Sequence, residues 1–503
     1  GLRLDFRIRH LLVDEFQDTS PTQVELLERL TAGWQEGDGR TLFLVGDPMQ
    51  SIYRFRKAEV GLFLRIRQQG LGALHLEPLR LYRNNRACPP VVAWINERFP
   101  PLFPAVDEPL RGEIAYREFI ATRPEHPDAG VSVHVIADDD AEREREAELV
   151  AGIVVAERAA DPARNIAVLV RARNHLAAIV AALRRHPAAP RFSAIEIEPL
   201  AGRQHVQDLL ALTRALHHRA DRLHWLAVLR APWCGLTLAD LHALAGDDHA
   251  ATIWSLANDA ARVARLSADG RHRLGHVVAV LGEALAGEGR QSRRRRVEDA
   301  WRKLGGPACL ADAAAAEDAR AYFRRLDALD AAGRFDLDAL EDDMRRLYAA
   351  PDPHADGRLQ LMTMHKAKGL EFDTVILPGL HRPPRGNDAP LLAWDSFPLA
   401  SGERLLAAPV NRRGRRADGG PSAHDYLRGL EAERDRNEAT RLLYVAATRA
   451  VRRLHIVAAA PTDASGAWKA PADTTLLARL WPALRADLPP PPAPQPAAAE
   501  VVA

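Results

Sequence analysis

The chain is poor in lysine, cysteine and aromatic rings. Lysine occurs only at Lys57, Lys303, Lys366, Lys368 and Lys469 among 503 residues, so arginine carries nearly all of the positive charge. The three cysteines, Cys88, Cys234 and Cys309, make no CxxC pair. That spacing excludes a disulfide framework and a cysteine-bound zinc, and points to a reducing, cytoplasmic setting. No apolar run reaches the roughly 18 residues a membrane helix needs and no signal peptide is visible, so neither insertion nor secretion is expected. A formal net charge of +1 rules out any argument from bulk basicity to polyanions. A nucleic-acid surface would have to be a local, arginine-lined groove.

What is present is an α/β alternation with chemistry at its strand ends. The stretch from Arg9 to Ser20 reads as a short buried strand of a parallel sheet, His10–Val13, that delivers the adjacent carboxylates Asp14 and Glu15 at its carboxyl end. Open parallel sheets bind ligands at that edge. There one carboxylate can hold Mg²⁺, and the next can polarise a water that attacks a γ-phosphate. Taken alone, an Asp-Glu pair after a strand is more often a solvated turn. A helix over Pro21–Leu30 with Ser20 as its cap, then a strand over Thr41–Val45, complete a βαβ unit. The pattern returns as strands Val131–Ile136 and Ile166–Val170 with helices Ala141–Arg158 and His175–Arg185. Between about Gly202 and Tyr348 strand signals vanish and Ala/Leu/Arg-rich helical patterns take over. Strands resume at Leu359–Met364, Thr374–Leu377 and Leu454–Ala458. Arg382–Pro421, rich in Pro, Gly and Arg, reads as loop, and Pro489–Ala503 as a tail unable to build a core.

Four further blocks carry candidate chemistry. In Leu44–Arg56 a strand ends in Gly-Asp, and the amide of Gln50 can sense a phosphate or the attacking water. Tyr53 and Phe55, interleaved with Arg54 and Arg56, suit single-stranded DNA, where stacking contributes ~1–3 kcal/mol per base. The bland alternative is two core rings beside solvated arginines. Asn84–Asn96 contains Arg86, by itself an ordinary surface arginine. Leu361–Leu377 places a basic turn with Gly369 between two strands, followed by Glu371. This gives amides for phosphate and a carboxylate for a ribose hydroxyl. Glu438–Ala450 is a helical pattern with Arg441 and Arg449. The run Arg293–Arg296 and the pair His217-His218 are read as solvated or packed surface.

In this order the five blocks resemble motifs II to VI of superfamily 1 DNA helicases of the UvrD type, in their RecB/AddA-like branch. The string His-Lys-Ala-Lys-Gly-Leu-Glu-Phe from His365 to Phe372 is the most specific match. The resemblance implies a RecA-like parallel-sheet core with a mostly helical insertion. Residues 1–75 would be a partial first RecA-like domain and 76–201 the first part of the second. Residues 202–348 would form the insertion, 349–465 the resumed second domain and 466–503 a Pro/Ala-rich tail. It also implies ATP and Mg²⁺ as cofactors, with Asp14 and Glu15 at the metal and Glu15, Gln50, Arg86 and Arg449 catalytic. Asp14, Gly369, Glu371 and Arg441 would bind or support the nucleotide, and Tyr53, Phe55, Arg56, Thr363 and His365 would bind DNA. Two departures stand out. Asn85 replaces the aromatic that stacks on adenine, and Lys57 replaces a glycine after motif III.

The implied activity is 3′-to-5′ translocation and unwinding in DNA recombination or repair, on single-stranded and duplex DNA. It would work beside a partner nuclease or helicase and away from membranes. The P-loop pattern GxxxxGK[ST] is missing from the 503 residues, since none of the five lysines sits in such a loop. The expectation is therefore a carboxyl-terminal portion that is inactive alone. The alternative is a non-hydrolysing remnant that holds DNA or a partner. No nuclease signature is seen.

Overall fold

The computed structural model describes residues 8–35, 37–188, 190–194, 200–333, 335–347, 355–384, 390–399, 402–410, 422–463 and 465–485, with 488, 490 and 491. The chain forms two compact units. Residues 1–190 together with 357–503 make the first, and 191–356 the second.

The first unit opens with β1 (His10–Val13) and β2 (Thr41–Leu44), which pair in parallel from His10 opposite Thr41 to Val13 opposite Leu44. The helix Pro21–Thr31 makes the crossover. Its entry is fixed because Pro21 needs no amide partner in the first turn and the Ser20 amide donates to Gln23 Oε1 at 2.8 Å. Leu11, Val13, Leu42 and Leu44 pack onto Phe16, Val24, Leu27, Leu62, Ile66 and Leu71. The opposite face is open, with Leu12 67% and Phe43 52% exposed. The expectation of a fully buried strand is therefore corrected. Side chains alternate across a strand, and only the Leu11/Val13 face of β1 is covered.

The larger sheet is built from β3 (Gly130–Ala137), β4 (Ile166–Val170), β5 (Leu359–Thr363), β6 (Phe372–Leu377) and, at the end of the fold, β9 (Ala450–Ala460). These five strands run parallel in the order β3-β9-β6-β4-β5. Every residue of central β4 is buried, as a continuous Ile-Ala-Val-Leu-Val run requires. The helices Glu142–Ala160 and Leu176–Arg185 follow β3 and β4. Glu157 anchors this body electrostatically. It accepts from Thr374 at 2.7 Å and pairs with Arg164 at 2.5 Å and Arg453 at 2.9 Å. Burial alone would raise its pKa, but these partners and His455 hold it down at about 2.

Arg382–Pro421 is not all loop. β7 (Leu392–Leu399) and β8 (Gly402–Pro409) form an antiparallel hairpin, with Trp394 opposite Ala407. Ala393 and Ala408 pack on Leu427 of the long helix Ala423–Ala447, and Asp395 pairs with Arg434 of that helix at 2.8 Å. Within the stretch, residues 385–389, 400–401 and 411–421 lie outside the described residues.

The second unit contains nine helices among its described residues, from Gln204–His217 to Leu337–Arg346. Its core gathers Leu209, Leu212, Trp225, Leu281, Tyr322 and Leu340. The run Arg293–Arg296 begins the helix Arg293–Lys303 and is neutralised locally: Arg293 pairs with Asp330, Arg294 with Glu298 and Arg296 with Glu288. His217 packs edge-on against Phe335. Among the described residues no helix is long and apolar enough to cross a membrane.

Candidate functional site

The strand β1 ends where the sequence placed the two carboxylates, and both Asp14 and Glu15 are exposed. Glu15 sits in left-handed backbone at φ 52°, costly for a residue with a side chain. The turn is held because Asp14 Oδ1 accepts from the Glu15 amide at 2.8 Å and Gln17 Nε2 donates to Glu15 Oε2 at 2.5 Å. Gln17 is the joint between the two strand ends. Its Oε1 accepts from the Asp47 amide at 3.0 Å, and Ser51 Oγ donates to its carbonyl at 3.0 Å. This closeness needs Gly46, since a Cβ there would stand 2.3 Å from Gln17 Oε1 and 3.1 Å from the Gln17 backbone nitrogen. Asp47 in turn accepts from Met49 N and from Gln50 Nε2, each at 2.9 Å, and burial pushes its pKa up.

The carboxylates meet the segments from the far part of the chain. Lys368 lies 3.3 Å from Glu15, pairs with Asp18 and donates to the Gln50 carbonyl at 2.9 Å, with its side chain only 6% exposed. Its ammonium also stands 5.1 Å from the Tyr53 ring centre. Arg449 is 1% exposed. It donates to Val445 O at 2.9 Å, Leu370 O at 3.3 Å and Gln50 Oε1 at 3.5 Å. Among the described residues no carboxylate pairs with it, and burial plus the neighbouring Arg86 lower its pKa to about 10. Arg86 reaches Glu371 at 3.2 Å and the Thr448 carbonyl at 3.5 Å. Its approach is set by Asn84, whose Oδ1 accepts from the Arg86 and Ala87 amides at 2.9 Å. Arg441 is wholly enclosed. It donates to the carbonyls of Ser51 and Gly112 at 2.7 Å each, and burial lowers its pKa to about 10. Gly369 turns the chain at φ 82° before Glu371.

Lys368 thus pairs with Glu15 and holds the Gln50 carbonyl, while Arg449, with Arg86 beside it, reaches the Gln50 side chain. A buried arginine without a counter-charge calls for an anion. A phosphate beside a carboxylate-held Mg²⁺ is such a group, and Mg²⁺ takes one or two carboxylates with phosphate oxygens and waters. Asp14 and Glu15 fit that role. When bound, the metal would draw charge from the phosphate oxygens.

A second surface runs beside this gap. Tyr53 and Phe55 pack edge-on at 5.8 Å, and Phe55 meets His365 edge-on at 5.6 Å. The Arg56 guanidinium caps both rings at 5.0 and 5.5 Å. The Tyr53 hydroxyl donates to the His365 carbonyl at 3.2 Å, and Phe55 is 65% exposed. Burial and nearby Arg171 and Arg56 lower the His365 pKa to about 4, so at neutral pH its ring offers stacking and a neutral hydrogen bond. Thr363 ends β5 two residues earlier. Arg54 does not face the strip. It pairs with Glu431 at 3.2 Å and with Asp435 on the helix Ala423–Ala447, and its amide donates to Glu438 at 2.9 Å. The structure therefore brings the nucleotide candidates and the DNA candidates to adjacent surfaces. Sequence reasoning passed over Gln17, Asp47, Asn84, Glu438 and Lys368. Each lies inside one of the five blocks, which is the signal that could have found them, and Lys368 sits in the most specific string.

A parallel-sheet core with these groups at its strand ends is the fold of a UvrD-like helicase. Comparison with known families matches the UvrD/REP helicase N-terminal domain over residues 2–70 and the UvrD-like helicase C-terminal domain over residues 345–460. Segments of the chain thus match both UvrD-type helicase domains, and the relatives that match most of it are helicase/nuclease subunits of the AddA/RecB-like kind. It is 28% identical to an ATP-dependent helicase/nuclease subunit of Desulforudis audaxviator, covering 90% of this chain and 39% of that protein. The protein of the same description from Pelotomaculum thermopropionicum is 27% identical over 92% of this chain and 42% of its own length. A 130-residue stretch, 25% of this chain and 9% of the relative, is 40% identical to the corresponding protein of Desulfitobacterium hafniense. The chain thus spans about two fifths of the length of the relatives that match most of it.

Proposed function

We propose that these residues form part of an ATP-dependent DNA helicase of recombination or repair that translocates 3′ to 5′ on single-stranded DNA. The carrying observation is the cluster in which Lys368 pairs with Glu15 and buried Arg449, with half-buried Arg86 beside it, reaches Gln50 without a carboxylate partner among the described residues. In this reading Asp14 and Glu15 hold Mg²⁺, Glu15 orients the attacking water, and Gln50 senses the γ-phosphate. Arg86 and Arg449 neutralise charge that develops on it. Arg441 supports the helix behind them, and Gly369 and Glu371 meet the nucleotide. Tyr53, Phe55, Arg56, Thr363 and His365 carry the single strand. The relatives are described as one subunit of a helicase/nuclease, which supports a partner chain in the working assembly.

The chain alone lacks a phosphate cradle, so by itself it holds DNA or a partner without turnover. DNA-stimulated ATP hydrolysis by these 503 residues, abolished by Glu15→Gln, would overturn that second statement. In the full gene product, Arg449→Ala should cut DNA-stimulated hydrolysis by ~10³-fold or more, as loss of an arginine that neutralises phosphoryl charge does. Strand displacement from 3′ overhangs only is expected, and equal displacement from 5′ overhangs sinks the polarity.

A further inference from the structure

Trp394 projects from the outer face of the β7–β8 hairpin and is 56% exposed. Its strand is not free to move away. The inner face is anchored by Ala393 and Ala408 against Leu427 and by Asp395 paired with Arg434 at 2.8 Å. The indole is therefore an exposed ring held on a braced element. Lys57 places its ammonium 5.6 Å from that ring. Lys57 itself adopts left-handed backbone at φ 67°, a conformation in which a side chain is disfavoured. Lysine at this position therefore costs backbone strain, and the contact it makes is with Trp394. Two residues before it lies Phe55, itself capped by Arg56 at 5.5 Å. Two exposed rings thus each carry a cation, Arg56 over Phe55 and Lys57 over Trp394, and those cations are neighbours in the chain.

We propose that Trp394 is a base-stacking residue that extends the Tyr53–Phe55–His365 strip, with Lys57 taking the phosphate of the same nucleotide. The inference rests on the single-strand reading of that strip. A ring with one open face and a cation at its side suits a nucleotide, because the base stacks and its phosphate is neutralised within the same reach. The exposed neighbours Leu392 and Leu405 supply no charge and no direction. The strand that leaves Phe55 along this path meets Lys57 and then the indole.

The test measures binding of a fluorescent oligo-dT by the full chain, across a salt series. Trp394→Ala should weaken binding roughly five- to tenfold without changing the salt slope, and Trp394→Phe should restore most of it. Lys57→Gln should instead flatten the slope by about 0.7, one phosphate. In the unmutated chain, an oligonucleotide carrying 5-iododeoxyuridine should photo-crosslink to Trp394. If Phe55→Ala weakens binding while Trp394→Ala does not and no crosslink forms on Trp394, the inference fails alone and the hairpin face passes to a protein partner. If the chain does not bind the oligonucleotide, or Phe55→Ala has no effect, the single-strand reading of the strip fails first.

Discussion

Most of the site's geometry depends on a few side chains that touch no ligand candidate themselves. Gln17 links the carboxylate turn after β1 to Asp47 after β2, and it does so only because Gly46 leaves room. Gly46→Ala should push a methyl into the Gln17 amide and backbone and destabilise the first unit by ~1–3 kcal/mol, the usual range for overpacking. Thermal unfolding measures the loss, and an unchanged midpoint would show that the turn opens freely. At this scale the sequence was legible where chemistry is linear. Asp14, Glu15, Gln50, Arg86, Arg449 and the aromatic pair Tyr53 and Phe55 could be singled out because each follows a strand or lies in a distinctive string. Gln17 and Glu438 could not, since their partners Asp47 and Arg54 lie far along the chain, and Asn84 could not, because its bonds to the amides of Arg86 and Ala87 are a local turn that many asparagines make.

At the scale of elements, legibility followed burial. The buried strand β4 was read to the residue, because a continuous Val/Ile/Leu run between polar turns has few alternatives. β1 was read as buried but is covered on one face only, since four residues are too few to separate alternation from a continuous run. The hairpin was missed for a different reason. Its inner face uses Ala393, Asp395, Phe397, Leu406 and Ala408, while its outer face shows Leu392, Trp394 and Leu405, so both faces are largely apolar and the usual apolar-in, polar-out period is erased. Glu157 braces three elements around the second sheet and gives the element-scale prediction. Its carboxyl is held at about 2 against an ordinary 4.5, so its contribution is present above pH 4.5 and disappears as pH falls toward 2. Glu157→Gln should cost about 3 kcal/mol at neutral pH and remove that part of the acid sensitivity, as read from urea midpoints between pH 7 and 3. An identical midpoint drop on acidification in the variant would assign the sensitivity to other groups.

For the whole molecule, the division into two units carries its own expectation. Residues 191–356 possess an independent core with Trp225, Tyr322 and Leu340 fully enclosed. Expressed alone, this segment should be helical by circular dichroism and unfold cooperatively. A non-cooperative transition would mean that it folds only on the rest of the chain. The first unit, by contrast, is stitched from residues more than three hundred positions apart, as in Lys368 with Glu15 and Arg449 with Gln50. No local sequence pattern can show such pairings, and only the order of the five blocks hinted at them.

Lys368 belongs to both surfaces at once. One ammonium group is divided among Glu15, Asp18, the Gln50 carbonyl and the face of Tyr53, and it has three hydrogens to give. Tightening any one of these contacts slackens the others, so in the proposed reading a base stacked on Tyr53 and a water held at Glu15 would draw on the same amine, which would couple strand to nucleotide. Lys368→Met in the full gene product should lower basal hydrolysis and lower its stimulation by single-stranded DNA further still, a difference that hydrolysis rates with and without oligo-dT would reveal. Retained stimulation would place the coupling elsewhere.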